Sequence, residues 1–342
     1  MGAPTKYIII GQGLAGTVLT WQLLWRGINV EVRDTPDLSQ SSLIAAGLIN
    51  PIVLKRMKWV KDAENFLPAL LPFYRECEKI LNHTFLESLP LYHLIKDAAE
   101  ANLWEEKRDH PLIGTYLHSI ESPKGWPVDA PLGAGKMTPL FWLRTAAFLA
   151  ESRAHFKSLG ILKEQKLSKA KLENELNQPN PNQSIILANG HLMRELYPAA
   201  QSFFTPTRGE VLIIHSRELP EDSILHRQFF ILPLGNHLFK VGATYAWDIL
   251  EDMPTEKGRE TLKQGLENMI TAPYSIREHL AGVRPNIKDR KPILGKLKRQ
   301  LYCFNGLGSR GALMAPYLSA VMADFLLENT AIPPAWDVQR FN

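Results

Sequence analysis

Lys6-Tyr7-Ile8-Ile9-Ile10-Gly11-Gln12-Gly13-Leu14-Ala15-Gly16 is the stretch on which the fold turns. A short, continuously apolar run stops in three glycines spaced GxGxxG. Residues 17–26 then read as a helix, with Val18, Leu19, Leu23 and Leu24 on one face and Gly27 as its stop. Residues 28–33 return to a strand pattern that ends at Asp34. A strand, a tight turn, a helix and a second strand within about 30 residues form the unit that holds a dinucleotide pyrophosphate. Gly11, Gly13 and Gly16 allow the turn, the close backbone approach and the close helix–strand packing. Leu14 and Ala15 open the helix, whose unpaired N–H groups and dipole favour an anion. Asp34, at the second strand's end, is placed to accept from ribose hydroxyls, which argues against a 2′-phosphate. The bland alternative is a glycine-rich turn beside a solvated aspartate.

Length and composition fit a soluble globular protein and by themselves imply no chemistry. It has 342 residues, and a single core stops growing at roughly 250–300. Two domains are therefore expected. Hydrophobic residues make up 45% and charged residues 22%, which disfavours disorder and coiled coil. The net charge of +4 permits a nucleic-acid partner without arguing for one. Two widely separated cysteines, Cys77 and Cys303, exclude a disulfide scaffold and fit a reducing cytoplasm. No HExxH or paired-Cys pattern suggests a metal, and no apolar run was expected to reach the ~20 residues that cross a bilayer.

Further along, residues 62–82 and 98–108 read as helices, with strand-like sequence at 85–95 between them. Residues 123–135 read as a loop. Thr138 is expected as an N-cap and Pro139 as the first residue of a long helix to about Leu159. Residues 174–183 read as a polar loop, and 184–188 as a buried strand ending at Asn189-Gly190. Strands are expected at 210–215, 228–232 and 238–243, with a turn at Leu234-Gly235-Asn236-His237, then a helix over 255–271. A strand at 301–305 leads into a second glycine-rich turn, Gly306-Leu307-Gly308-Ser309-Arg310-Gly311, and an apolar helix over 312–327. The fold class is α/β, α+β overall: a Rossmann-like nucleotide domain in discontinuous segments with a mostly antiparallel β-sheet substrate domain. The expected division is 1–60, 135–206 and 280–342 for the first, with 61–134 and 207–279 for the second.

Glycine turns alone do not separate NAD from FAD, and an NAD-dependent dehydrogenase remains an alternative on them. Further segments, in order, resemble the D-amino-acid-oxidase and glycine-oxidase family of flavoproteins. The loop Ser41-Ser42-Leu43-Ile44-Ala45-Ala46-Gly47-Leu48-Ile49-Asn50-Pro51 is similar to the family's small-residue loop, and Ile185-Ile186-Leu187-Ala188-Asn189-Gly190 to its Ala-x-Gly strand end. Ala281-Gly282-Val283-Arg284-Pro285 with Pro292-Ile293-Leu294-Gly295 resembles its GxRP…PxxG block. Thr207-Arg208-Gly209-Glu210 and Val241-Gly242-Ala243-Thr244 fall in the family's order within the substrate-domain sheet. The resemblance covers most of the chain and is weakest over 60–135.

The resemblance implies non-covalent FAD, since Cys303 precedes the last turn in a strand and is a poor attachment point. It implies contacts from Ser42, Ala45, Ala46, Gly47, Leu48, Ala188, Asn189, Gly190, Gly306, Gly308, Ser309, Arg310 and Gly311. Backbone N–H groups of that last turn, with the final helix behind them, suit the negative charge of a reduced flavin. The implied activity is amine oxidation, with a small amine or amino acid as substrate and oxygen or another electron acceptor as partner. Arg284 stands where the family holds the substrate carboxylate, a task suited to a two-pronged guanidinium. Tyr245 is the candidate for the ring face or the substrate, and Arg208 for the junction between domains. Lys55, Arg56 and Lys58 are cations of undecided role beside Trp59. The turn Gly-Leu-Gly-Ser-Arg-Gly departs from glycine oxidases and is closer to the flavin half of the bacterial tRNA wobble-uridine modification enzyme. The chain reads as that half without a methyltransferase half. This keeps open a tRNA side chain as substrate, with Lys288, Arg290, Lys291, Lys296, Lys298 and Arg299 as the basic cluster it would need. A flavin-binding protein without turnover is the remaining alternative.

Overall fold

The computed structural model describes residues 6–35, 41–123, 125–178, 180–247 and 252–341. Six strands form a sheet in the order Leu162–Glu164, Val30–Asp34, Lys6–Ile10, Gln183–Leu187, Leu301–Asn305, Ile293–Lys298. Its neighbours run parallel except for the last pair. Parallel strands must have both faces covered, and here the continuously buried Tyr7–Ile10 run meets that demand. On one face the helix Leu14–Trp25 packs against the apolar helix Gly311–Glu328, which in turn meets the helix Ala63–Leu81. Tyr7 donates its hydroxyl to the Leu326 carbonyl at 2.9 Å, and Tyr74 donates to that of Ala312 at 2.9 Å. Two buried phenols thus tie the last helix to the sheet and to its neighbour; burial raises the pKa of Tyr7 to about 12.

Eight strands form the second sheet, in the order Ser275–Arg284, Thr207–His215, Leu238–Gly242, Phe230–Gly235, Ile224–His226, Leu91–Leu94, Ala134–Met137, Leu117–Glu121. All its pairs are antiparallel except Ile224–His226 with Leu91–Leu94. The helix Glu256–Glu267, capped by the Thr255 side chain, buries Leu262 and Leu266 against it. A small sheet of Leu48–Ile49, Phe141–Leu143 and Leu86–Ser88 joins the two regions.

Several expectations need correction. The long helix does not begin at Thr138-Pro139. Phe141–Leu143 is a strand, held antiparallel between Leu48–Ile49 and Leu86–Ser88, and the helix spans Thr145–Ser158. Long-range pairing, which buries Trp142 and Leu143, outweighs a locally plausible cap. The polar stretch over 174–183 begins as the last turns of a helix, Lys169–Asn177, whose cap is Ser168. The strands Ser275–Arg284 and Ile293–Lys298 were not read from the sequence at all. The last helix is long and apolar enough, by composition, to cross a membrane, contrary to expectation; half of it is buried, as in a core helix.

Sheet membership also bears on the division of the chain. Ala134–Met137 and the end of Ser275–Arg284 lie in the eight-stranded sheet. The helix Ala63–Leu81, grouped by sequence with the substrate side, packs in the core of the nucleotide side.

Candidate active site

One cleft runs from the glycine turn of the first sheet to the inner face of the second. Its wall includes Gly11, Gly13, Leu14, Ala15, Asp34, Ser42, Ala45, Ala46, Gly47, Leu48, Ala188, Asn189, Gly190, Arg284, Gly308, Ser309, Arg310 and Gly311. Four segments far apart in sequence converge here because the strands that carry them are neighbours in the sheet or pack across it. Gly16 and Gly306 are not on the wall. A Cβ on Gly16 would lie 1.9 Å from the Gly11 carbonyl oxygen, so this glycine lets the helix sit close on the strand. Gly11 itself has φ +101°, a conformation that disfavours any side chain.

The nucleotide end is held from below. Asp34 accepts from the Gln12 backbone N–H at 3.1 Å and from Arg153 at 2.7 Å. Arg153 also donates to the Gln12 side chain at 3.0 Å. The carboxylate is therefore fixed in orientation by a helix residue that no sequence pattern marked. The Leu14 N–H donates to Ser42 Oγ at 3.2 Å, fastening the small-residue loop to the helix start. Lys240 reaches the same loop from the large sheet, donating to the carbonyls of Ile44 and Ala45 at 3.1 Å each. Burial lowers its pKa to about 8. Trp142 donates to the Ala46 carbonyl at 2.8 Å. Two donors thus shape the loop from behind, and neither was identified from sequence.

The substrate end is formed by Ile52, Leu54, Lys55, Gly209, Val211, His226, Phe230, Ala243, Gly282 and Arg284. Arg284 donates to the Thr244 carbonyl from both terminal nitrogens, at 3.2 and 3.3 Å. Its guanidinium lies 4.9 Å from the centre of the Tyr245 ring. Among the described residues no carboxylate pairs with it, and burial lowers its pKa. A Cβ on Gly209 would fall 2.0 Å from Arg284 Nη2, so the glycine of Thr-Arg-Gly-Glu makes the room the guanidinium occupies. Arg310, at the start of the last helix, is likewise without an ion-pair partner among the described residues, and burial lowers its pKa.

Tyr245 is placed differently from expectation. It does not line the cleft; it is 50% exposed, backs the Arg284 guanidinium, and accepts from Asn286 Nδ2 at 2.8 Å. Arg208 is buried and pairs with Glu210 at 3.0 Å. Of the three cations after the loop, Lys55 lines the cleft, exposed, while Arg56 and Lys58 do not. None of Lys288, Arg290, Lys291, Lys296, Lys298 and Arg299 lines it.

This cleft fits a dinucleotide on independent grounds. The glycine turn and helix start lie at one end, and the buried Asn189 Oδ1, on the wall, has no hydrogen-bond partner among the described residues. Residues 6–325 match the family model for FAD-dependent oxidoreductases of the DAO type. The chain belongs to the DAO family of FAD-dependent oxidoreductases. It is 25% identical over 364 residues to the bifunctional protein ThiO/ThiG of Trichormus variabilis, covering 95% of this chain and 53% of that protein. It is also 25% identical over 341 residues to the tRNA 5-methylaminomethyl-2-thiouridine biosynthesis bifunctional protein MnmC of Idiomarina loihiensis, covering 92% of this chain and 54% of that one. The chain therefore spans about half the length of these curated relatives. The crystal structure of iminodiacetate oxidase from Chelativorans sp. BNC1 superimposes with a TM-score of 0.78 at 19% identity, covering 96% of this chain and 97% of that one. The DAO-family chain is thus an FAD-dependent enzyme whose glycine turn, small-residue loop and last turn face one cleft.

Proposed function

We propose that this DAO-family enzyme oxidises the C–N bond of a small amine that carries a carboxylate. FAD, when bound, supplies a hydride acceptor at N5 and passes the electrons to oxygen or another acceptor. The observation that carries the proposal is Arg284: a half-buried guanidinium on the cleft wall, anchored on one side by the Thr244 carbonyl, with no carboxylate partner among the described residues. A cation taken out of water without a counter-ion is costly unless a ligand supplies one. A substrate carboxylate meets that need and fixes the carbon to be oxidised at a set distance from the anchor. Ala45, Ala46 and Gly47 leave room for a flat ring system on the facing wall. The Gly308–Ala312 turn and the N-terminus of the last helix offer N–H donors and a dipole to a reduced flavin's negative charge. Gly11, Gly13 and the helix start at Leu14 and Ala15 hold the pyrophosphate, and Asp34 the ribose.

The test is a visible spectrum of the purified protein, followed by anaerobic addition of glycine, sarcosine, proline and D-amino acids and a peroxide assay in air. Bleaching of the flavin band by one of them supports the reading. A flavin that none of these amines bleaches overturns it for free amino acids.

The likeness to MnmC favours a second reading, a modified tRNA side chain as the amine. Binding of tRNA that weakens steeply with salt supports this alternative; its absence removes it. The six basic residues at 288–299 do not line the cleft, so the reading requires other contacts at the mouth.

A further inference from the structure

Two histidines stand side by side at the substrate end of the cleft. His226, on the wall, ends the strand Ile224–His226, and His93 is its register partner on the parallel strand Leu91–Leu94. Their Nδ1 atoms are 3.1 Å apart. That distance is a hydrogen bond only if one Nδ1 carries a proton and the other offers its lone pair. The His93 ring is held in place by a stack on Trp104, with centroids 5.8 Å apart and planes within 3°. Trp104 is fixed in turn by its indole N–H on the His118 carbonyl at 2.9 Å. His226 has no other hydrogen-bond partner among the described residues, which leaves Nε2 as its nitrogen available to the cleft.

Two tautomeric arrangements satisfy the contact. With the shared proton on His226 Nδ1, donated to His93 Nδ1, His226 Nε2 is bare; with it on His93 Nδ1, donated to His226 Nδ1, His226 Nε2 carries the N–H. Lys55, Arg284 and Arg310 share the cleft wall with His226, while Glu100 and Arg227 act on His93 in opposite directions. The first arrangement is the one that presents a lone pair to the cleft. Burial also keeps both rings neutral: desolvation, with His93 alongside, lowers the pKa of His226 to about 3, and burial lowers that of His93.

We infer that His226, with its tautomer set by His93, is the hydrogen-bond acceptor for the substrate nitrogen. The inference rests on the amine-oxidising reading and deepens it. An amine N–H that donates to a neutral imidazole keeps its own lone pair. That pair then forms the C=N bond as the C–H bond breaks and the hydride leaves for the flavin. Arg284 grips one end of the substrate and His226 the nitrogen, so the carbon between them has a fixed position. A substrate with an ether or methylene in place of the nitrogen has nothing to donate and loses this contact.

The test uses the FAD-loaded enzyme as wild type and as His226→Phe, His226→Gln and His93→Gln. In ¹⁵N-histidine-labelled wild type, the NMR spectrum is expected to show His226 protonated at Nδ1 and bare at Nε2. Binding is followed by the flavin absorbance change with the panel amine that bleaches the flavin and with a nitrogen-free acid of the same shape (butyrate, where that amine is sarcosine). His226→Phe is expected to weaken the amine about 10- to 100-fold, the value of one hydrogen bond, and the acid less than twofold. His226→Gln, which keeps an acceptor, is expected to recover most of the loss, and His93→Gln to fall between. Equal losses for amine and acid, or an Nε2–H on His226, overturn the inference in an enzyme that amines do bleach. A wild-type flavin that no amine bleaches overturns the amine-oxidising reading, and this inference with it.

Discussion

The two ends of the cleft are built on opposite principles. The nucleotide end rests on parallel strands and backbone geometry: its key positions are glycines, alanines and N–H groups at the start of a helix. The substrate end rests on side chains of a mostly antiparallel sheet, above all a guanidinium and a pair of imidazoles that meet across its one parallel strand pair. The first end is written into a few short runs of consecutive residues, each legible by itself. The second exists only once strands from five parts of the chain lie side by side. On the proposed reading, damage at the first end is expected to remove the cofactor, and damage at the second to change what the loaded enzyme accepts.

The largest effect that sharpens this contrast is expected from Gly16→Ala. Its new Cβ meets a backbone oxygen that cannot move without shifting strand or helix. The flavin-to-protein absorbance ratio after desalting is expected to fall at least about tenfold, with a lower melting temperature. Retained flavin breaks the account of the nucleotide end. Arg284→Met comes next. It is expected to leave the flavin content unchanged and to raise KM for carboxylated amines about 100-fold, as loss of a charged bidentate contact does. An unchanged KM removes Arg284 from the substrate site. Gly209→Ala is milder, because the atom displaced is the end of the Arg284 side chain. A KM increase of about tenfold, with kcat altered less, is expected. A variant indistinguishable from wild type shows that Arg284 does not need that space.

The smallest effect is on the pH dependence of stability. His226 and His93 have folded-state pKa values lowered by burial, the former to about 3. Between the unfolded value near 6.5 and the folded one, the unfolded chain holds more protons than the folded one. Stability therefore falls as pH drops from about 6.5 towards 3. Denaturant titrations at several pH values are expected to show a shallower acid decline in His226→Gln than in wild type. Equal slopes show that the imidazole pair is not the group responsible.

Legibility in the sequence follows the same division. Gly11, Gly13, the loop ending in Gly47, Ala188 to Gly190 and the last turn, which line the cleft, are legible because their small residues and turns are set by backbone conformation, which neighbouring residues dictate; Asp34 is legible from its place at the second strand's end. Arg284 was reached through the resemblance of the segment around it. Gly209 lay inside a quoted motif, yet its reason, the space it leaves for Arg284, is a distance between two strands. Arg153, Lys240, His226 and His93 carry no local signal, since an arginine on a helix or a histidine at a strand end is ordinary in isolation. The misread helix start at Thr138 has the same cause: local capping chemistry was plausible, and pairing with residues about fifty and ninety positions away overruled it.

By itself, then, the sequence determined the nucleotide-binding unit, the alternation of parallel and antiparallel regions, and the flavoprotein family, because glycine spacing and hydrophobic period act over a few residues. The tertiary structure alone decided what stands opposite the flavin-side loop. It left Arg284 without a counter-ion among the described residues, set Lys240 behind Ile44 and Ala45, and brought His226 to within a hydrogen bond of His93. Those relations depend on strand order and register, which bring together side chains that are more than a hundred residues apart, and no short-range pattern encodes such a meeting.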